Sequence, residues 1–327
     1  MKNGMVPSVR MQRLRQNASV RLMLQQTVLQ PQHLILPLFV REGKNVRQPI
    51  VSMPGQFQFS IDQMLLEVRR AKDLGIQAVI LFGIPEKKNA SAFEAYNADG
   101  IIQRAIAEIK NKVGGILVIA DCCLCEYTDH GHCGILRKNK QIDNDATLEL
   151  LAKIALAQAE AGADIIAPSG MMDGMVASIR RALDQKKFFD AMVMSYSAKY
   201  ASALYAPFRE AAEGAPQFGD RATYQMSPAN SDEALRETEL DINEGADFVM
   251  VKPALFYLDI VQRIRKKFSV PVVAYNVSGE YAMVKAAAKN GFLDEKKIVL
   301  EMLLSMRRAG ADCIITYHAL DAAKNLL

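Results

Sequence analysis

Short apolar runs rich in β-branched residues recur along the chain, and segments with a helical pattern lie between them. Because parallel strands need crossover helices, this alternation predicts an α/β fold, a (β/α)8 barrel of the TIM type. An open doubly wound sheet is weaker, since no G-x-G-x-x-G follows a strand. The predicted strands are HLILPLFV (33–40), AVILFG (78–83), ILVIAD (116–121), DIIAPS (164–169), AMVMSYS (191–197), FVMVKPA (248–254), VVAYNVS (272–278) and CIITYHA (313–319).

Four of the intervening segments carry apolar residues on one helical face: 61–75, 146–163, 232–246 and 294–311. The last three end in Gly-Ala and the first ends in Gly75, which is typical of helix C-termini.

The first 32 residues do not fit the barrel pattern, so we divide the chain into an N-terminal arm (1–32) and a catalytic barrel (33–327). The arm has too few apolar residues for a core of its own: Leu14, Val20, Leu22, Met23 and Leu24. We expect an extended arm that packs on a neighbouring subunit of a homo-oligomer. A disordered tail is the alternative.

Composition narrows the possible partners and location. The chain of 327 residues is 50% hydrophobic, has a formal charge of +4, and shows no basic stripe, so we do not expect nucleic acid as a partner. No apolar run approaches the roughly 20 residues of a membrane span, so we expect no membrane partner. The basic N-terminus lacks a secretory apolar core and resembles an organelle transit peptide only weakly. The clustered, odd-numbered cysteines favour a cytoplasmic location.

Four of the five cysteines lie in DCCLCEYTDHGHCG (121–134), directly after the third predicted strand. Cys123, Cys125 and Cys133 give the spacing C-x-C-x7-C. Thiolates are preferred ligands for Zn²⁺, and three protein ligands leave a fourth position open for catalysis. The active site of such barrels lies at the C-terminal ends of the strands, so a catalytic metal is favoured over a structural one. Nearby residues remain rival ligands: Cys122, His130 and His132.

Two lysines carry the strongest mechanistic signal. Lys252 lies in FVMVKPALF and Lys199 in VMSYSAKYAS, at the same end of consecutive strands. Burial and the like charge of the neighbour should lower the pKa of both amines. A neutral amine near pH 7 is what Schiff-base formation with a carbonyl substrate requires.

A long insert, residues 202–230, separates the fifth and sixth strands and is expected to form a mobile lid. Its Arg209 and Arg221 are suited to binding a carboxylate. Ser278 and Tyr317, which end the seventh and eighth predicted strands, offer hydroxyls for a second carboxylate.

Together these residues resemble the porphobilinogen synthase (5-aminolevulinate dehydratase) family across nearly the whole chain. The matching segments include PLFVREG, DCCLCEYTDHGHCG, APSGMMDG, SYSAKYAS, YAPFREAA, GDRATYQM, MVKPALFYLDI, YNVSGEYAM and ITYHA. The resemblance implies a lyase that joins two molecules of 5-aminolevulinate into porphobilinogen with loss of two waters, for tetrapyrrole and haem synthesis. It also implies a (β/α)8 barrel whose arm clasps a neighbour, usually in an octamer.

The resemblance assigns roles to individual residues. Lys252 would form a Schiff base with the propionate-side substrate, and Lys199 would serve the acetate-side substrate. The resemblance implies that the acetate-side carboxylate is bound by Arg209, Arg221 and Gln225, and the propionate-side carboxylate by Ser278 and Tyr317. It implies that the acetate-side site is lined by Asp121 and Ser169. Zinc would be bound by Cys123, Cys125 and Cys133, and an activating magnesium ion at a subunit interface would be bound by Glu237.

Two departures and two rival functions remain open. Cys122 stands where a non-thiol residue is expected, and His318 where many relatives have Phe. A class I aldolase-type enzyme would need one lysine, no metal and a Gly-rich phosphate cradle, whereas SGEYAM has a single Gly. A non-catalytic zinc-binding module would expect a fourth protein ligand and would tolerate replacement of either lysine.

Overall fold

The computed structural model describes residues 8–326, so residues 1–7 of the predicted arm and Leu327 lie outside the described residues. Eight parallel strands pair in chain order, and the last pairs with the first, which closes the barrel. This confirms the predicted (β/α)8 fold. The strands are Leu34–Arg41 (β1), Ala78–Ile84 (β2), Leu117–Cys122 (β3), Ile165–Pro168 (β4), Met192–Lys199 (β5), Phe248–Lys252 (β6), Val272–Asn276 (β7) and Cys313–Thr316 (β8).

Helices surround this barrel, and the four predicted from periodicity all occur, as Ile61–Asp73, Asn144–Glu160, Asp232–Glu244 and Glu295–Ala309. Further α-helices are Ala18–Met23, Ile101–Lys112, Met175–Gln185, Leu258–Lys267, Ser278–Lys289, Ala319–Leu326 and the short Phe93–Tyr96 and Ala206–Ala211. Single 3-10 turns occupy Met11–Leu14, Pro31–His33, Ala203–Tyr205 and Leu255–Tyr257. Short strands Arg47–Pro49 and Phe57–Phe59 extend the sheet beside β1, and Ile135–Leu136 pairs with Ile142–Asp143.

Alternation along the strands divides the apolar residues into two cores. In β1, Ile35 and Phe39 belong to a cluster inside the barrel, whereas Leu36 and Leu38 pack in a larger cluster that includes residues of the surrounding helices. The barrel is therefore a filled core, and a reactive side chain finds space only at its rim.

The ends of the last three barrel strands fall short of the prediction. β6 ends at Lys252 because Pro253 has no N–H to continue the ladder. β7 ends at Asn276 rather than Ser278, and Ser278 begins the helix Ser278–Lys289. β8 ends at Thr316, which leaves Tyr317 just beyond the strand.

The described part of the arm has no core of its own. Leu22, Met23 and Leu24 are exposed by 71%, 82% and 52%. Within residues 8–326, no helix combines the length and apolar character that crossing a bilayer demands.

Candidate active site

Lys199 and Lys252 lie opposite each other in the ladder between β5 and β6, at the C-terminal rim of the barrel. Both side chains are buried, with 4% and 5% exposure, and both line one small cavity. The structure therefore brings together the two amines that the sequence placed at the ends of consecutive strands.

A β-bulge in β5 aims Lys199 into this cavity. The register advances three residues from Ser195 to Ala198 on β5 but only two on β6, so β5 contains one extra residue. Tyr196 packs inside the barrel, and strict alternation would place Ala198 inside as well. Instead Ala198 packs in the outer core, and Lys199 takes the inward position.

Aromatic rings surround the amine of Lys252. Its Nζ lies 4.1 Å from the ring centre of Tyr275, 4.9 Å from those of Tyr196 and Phe208, and 5.6 Å from that of Tyr205. Burial, and then the charge of Lys199, lower the pKa of Lys252 to about 7. A substantial fraction of this amine is therefore neutral and nucleophilic near pH 7.

Lys199 is held on the other side of the cavity by the loop after β4. Its Nζ donates a hydrogen bond to the backbone carbonyl of Ser169, whose hydroxyl donates to Asp121 Oδ2 at 3.2 Å. Burial, and then the neighbouring Glu126, raise the pKa of Asp121 to about 7 against the opposing effect of the two lysines. Asp121 and Ser169 thus line the same cavity as Lys199.

Three thiols cluster beside this cavity. The Sγ atoms of Cys123, Cys125 and Cys133 all lie within 4.8 Å of one another, and those of Cys123 and Cys125 are 3.4 Å apart. Tetrahedral Zn–S bonds of about 2.3 Å would place two sulfurs roughly 3.7 Å apart, so the donor set fits a zinc ion.

The three thiols differ in their pKa values. Hydrogen bonds from Cys123 and Cys125, with the nearby Arg221 and Lys199, lower the pKa of Cys133. Hydrogen bonding with Cys123 and Cys133, together with burial, raises the pKa of Cys125. Without a metal the cluster thus favours a single thiolate, and a bound cation would be needed to hold all three in that form.

The rival metal ligands point elsewhere. Cys122 is buried outside the cavity, with Sγ 3.6 Å from the carbonyl of Leu151. The ring of His132 bonds Tyr224 Oη at 3.2 Å and the Phe218 carbonyl at 3.0 Å. His130 Nδ1 accepts from the backbone N–H of His132.

The insert between β5 and β6 covers the cavity and packs on the cysteine loop. Tyr205, Phe208, Arg209 and Arg221 from this insert line the cavity. Arg221 Nη2 donates to the carbonyls of Gly131 and Gly214 at 2.9 and 2.8 Å. The approach is so close that a Cβ at Gly131, where φ is +70°, would collide with the Ala215 carbonyl oxygen. The cavity measures about 20 Å³, so an organic substrate enters only if this lid moves.

Ser278 and Tyr317 lie on the Lys252 side. Ser278 Oγ accepts from the Phe208 backbone N–H at 3.0 Å, which joins the lid to the helix Ser278–Lys289. Tyr317 Oη lies 3.1 Å from Tyr275 Oη, and the Tyr275 ring is in turn in contact with the Lys252 amine.

Two predicted residues lie apart from the lysine cavity. Gln225 and Glu237 line a separate cavity of about 550 Å³ beside the helix Asp232–Glu244. Burial, and then Asp241, Asp173 and Glu233, raise the pKa of Glu237 to about 7. The Gln225 backbone N–H donates to the Arg221 carbonyl at 2.9 Å, which links Gln225 to a residue that lines the lysine cavity.

The sequence analysis did not identify several residues that line the site. Glu126 lies in the cavity with 3% exposure, and its Oε2 is 3.1 Å from Cys125 Sγ. Its position directly after a candidate ligand was the available signal. The rings of Tyr196, Tyr205 and Tyr275 read as ordinary core residues, because only the folded chain shows that they surround one amine.

Comparison with known proteins identifies close relatives. The sequence model of the delta-aminolevulinic acid dehydratase family matches residues 8–325. A delta-aminolevulinic acid dehydratase from Synechocystis sp. is 56% identical over 323 residues, which cover 98% of this chain and 99% of that protein. One from Bacillus subtilis is 56% identical over 315 residues, covering 96% and 97%.

A solved structure is also similar to this chain. It is the delta-aminolevulinic acid dehydratase (porphobilinogen synthase) of Toxoplasma gondii ME49 in complex with its reaction product, porphobilinogen. The two structures superpose with a TM-score of 0.95 at 47% identity, covering 97% of this chain and 91% of the other.

Proposed function

Because the chain belongs to the delta-aminolevulinic acid dehydratase family, we propose that it condenses two molecules of 5-aminolevulinate into porphobilinogen, with loss of two waters, through Schiff bases on Lys252 and Lys199 beside a bound zinc ion. The observation that carries the proposal is the placement of two buried amines and a three-thiol cluster around one cavity. An aldolase-type enzyme would need only one such amine and no thiol cluster.

Lys252 serves the propionate-side substrate. Its neutral amine attacks the ketone carbon, the ketone oxygen leaves as the first water, and a C=N bond remains. Tyr317 is hydrogen-bonded to Tyr275 and Ser278 to the backbone of Phe208, two of the aromatic residues around this amine. Their hydroxyls bind the carboxylate tail. The rings of Tyr196, Tyr275 and Phe208 exclude the water that would hydrolyse the imine.

Lys199 serves the acetate-side substrate, whose ketone oxygen leaves as the second water. Arg209 and Arg221 line the cavity and bind the carboxylate tail, with Gln225 orienting the segment that carries Arg221. Asp121 and Ser169 hold and relay protons beside Lys199. Formation of one C–C bond and one C–N bond between the two substrates then expels both lysine amines, which balances the two waters lost.

Cys123, Cys125 and Cys133 would hold the metal at the edge of the same cavity. When bound, zinc supplies a Lewis acid for the carbonyl or hydroxyl oxygen of the acetate-side substrate. The chain itself contributes the thiolates and a lid that shields the cavity.

Three further features belong to the proposal. The exposed apolar residues of the arm support a homo-oligomer, an octamer, in which the arm clasps a neighbour. Glu237 would bind an activating magnesium ion together with acidic neighbours that already raise its pKa. The five cysteines, all within the described residues, are free thiols, which favours the cytoplasm.

A colour assay for porphobilinogen tests the proposal. Purified protein supplied with 5-aminolevulinate should form the product with zinc present and lose activity after chelation. Borohydride added with the substrate should label Lys252 covalently, and mass spectrometry identifies the site. Porphobilinogen formation without any label on Lys252 would contradict the assigned mechanism, and absence of the product with zinc present would contradict the function.

A further inference from the structure

A chain of buried hydrogen bonds links the loops that follow β6 and β7. Glu280, the third residue of the helix Ser278–Lys289, accepts from the Leu255 backbone N–H through Oε1 at 2.9 Å. Its Oε2 accepts from Asn276 Nδ2 at 2.7 Å and from the Val277 backbone N–H at 3.0 Å. One carboxylate therefore holds two loops that are 20 or more residues apart in the sequence.

The same chain continues to the loop after β8. Thr316 Oγ1 donates to Asn276 Oδ1 at 2.8 Å, and the His318 backbone N–H donates to Thr316 Oγ1 at 3.1 Å. Asn276, Glu280 and Thr316 have 0% exposure, so these bonds lie in a water-poor environment where each counts strongly.

Three residues of this hydrogen-bond chain lie close in sequence to residues on the Lys252 side of the cavity. Leu255 is three residues after Lys252, Val277 directly precedes Ser278, and Thr316 directly precedes Tyr317. We propose that Glu280 is a positioning residue that fixes Lys252, Ser278 and Tyr317 relative to one another. This inference rests on the proposed function, because it assumes that these three residues bind the propionate-side substrate.

Physical chemistry explains why a carboxylate occupies this position. A charged acceptor forms stronger hydrogen bonds than a neutral one, and the N-terminus of a helix favours a negative charge. Burial raises the pKa of Glu280 to about 7, and three donors on two different loops oppose that rise and offset part of the cost of a buried charge. A capping role alone would need only the Val277 N–H, whereas the bond to Leu255 reaches the loop of the proposed nucleophile.

Loss of this anchor predicts a specific defect at Lys252. The Leu255 N–H would lack its acceptor, and the loop after Lys252 would be free to shift and admit water. Misplacement of a reacting group by about 1 Å can cost on the order of 100-fold in rate. Water near the amine would also reduce the desolvation that lowers the pKa of Lys252, so the pKa of Lys252 should rise.

Glu280→Gln tests the proposal, since glutamine keeps the size but replaces one acceptor oxygen with a donor NH₂ group. We would measure the rate at which cyanoborohydride traps 5-aminolevulinate on Lys252 in the zinc-loaded enzyme, by mass spectrometry, across pH 6–9. We expect trapping to slow on the order of 10- to 100-fold, with its pH midpoint shifted upward.

Asp164→Asn is the matched control for loss of a carboxylate that links two parts of the barrel. Asp164 Oδ2 accepts from the Val118 backbone N–H at 2.7 Å, at the N-terminal ends of β3 and β4 and away from the three loops. This variant should lower the melting temperature while leaving the trapping rate and its midpoint unchanged. If Glu280→Gln only lowers the melting temperature, as the control does, the positioning role is wrong.

Asn276→Ala provides a second reading in case the first variant fails to fold. It removes the Asn276–Thr316 link and one of the three donors to Glu280, but keeps the bond to Leu255. We expect a smaller slowing of trapping with a higher KM, and trapping equal to the parent would overturn the proposal. A parent enzyme that shows no label on Lys252 would instead contradict the proposed function itself.

Discussion

The two halves of the active-site cavity differ in how their polar atoms are satisfied. On the Lys252 side, Ser278, Tyr317 and Glu280 all have hydrogen-bond partners within the protein. Tyr196, whose ring lies near both amines, is the exception, because its buried hydroxyl has no partner among the described residues. On the Lys199 side, three buried polar atoms of residues that line the cavity have no partner among the described residues: Arg209 Nε, Arg221 Nε and Asp121 Oδ1.

This difference separates a preformed half from a half that is completed by its ligands. A buried polar group without a partner costs roughly 1–3 kcal/mol, more if it is charged. An anion that reaches the two guanidinium groups would recover part of that cost, and a cation among the thiols would act in the same way. We therefore expect changes in the Lys252 half to affect chemistry and changes at Arg209 and Arg221 in the Lys199 half to affect ligand binding.

The largest expected effect comes from the preformed half. Lys252→Met replaces a buried amine with an apolar chain of similar length, so the fold should remain while turnover falls on the order of 10⁴-fold or more. Porphobilinogen formation measures turnover, and circular dichroism checks the fold. Turnover near that of the parent would remove Lys252 from the mechanism.

The thiol cluster should be the next most sensitive feature. Cys125→Ala should lose zinc and activity, because two thiolates and the remaining neighbours bind zinc far more weakly than three thiolates do. Cys122→Ala is the matched control, since its sulfur faces Leu151 outside the cavity. Zinc content by elemental analysis and turnover should fall together in the first variant only. Equal losses in both would contradict the ligand assignment.

Replacing a guanidinium group in the lid should weaken binding more than chemistry. Arg209→Gln should raise KM on the order of 10- to 100-fold, the equivalent of losing a charge-assisted hydrogen bond, with a smaller change in kcat. Arg263→Gln, which removes an exposed ion pair with Asp232, is the control and should behave as the parent. A fall in kcat with unchanged KM would contradict the division between the two halves.

The smallest effect concerns the coupling between the halves. Because the folded-state pKa of Lys252 is lowered to about 7, its amine loses its proton as pH rises through 7, and trapping of the substrate should increase over the same range. Lys199→Met removes the neighbouring charge, which is the second cause of the depression, so the midpoint should move to higher pH. An unchanged midpoint would mean that burial alone sets this pKa.

The lowered pKa of Lys252 also affects how the stability of the folded protein depends on pH. In the unfolded chain the lysine has its ordinary pKa, so between about pH 7 and 10 the unfolded state binds more protons than the native state. This single group therefore makes the folded protein more stable as pH rises across that window.

The sequence was sufficient to predict the barrel and the rim at which its candidate residues meet, because alternation of strand and helix patterns is local and strand ends converge on one rim. It placed Lys199, Lys252 and the cysteine cluster at that rim, and the structure brings them together. Ser278 was predicted to end a strand, whereas it begins a helix capped by Glu280, an arrangement that depends on a contact with Leu255 in a different loop.

Other features depend on tertiary contacts that a local pattern does not contain. Gln225 is four residues from Arg221 in the sequence but lines the Glu237 cavity. The surroundings of Lys252 come from rings on β5, β7 and the lid, which only the closed barrel brings within reach of one amine. His318, which departs from many relatives, is buried against Tyr281, with ring centres 4.4 Å apart, so it belongs to the packing behind Tyr317.

The extra residue in β5 determines which side chain at the end of that strand faces the cavity. If β5 alternated strictly from Tyr196 onward, the methyl group of Ala198 would face the cavity and the amine of Lys199 would face the helices; the bulge prevents this, and deleting either Tyr196 or Ser197 would remove the bulge without turning Lys199 outward. Adding a second inward-facing lysine to a barrel that has one therefore requires the correct number of residues in the strand as well as the lysine itself.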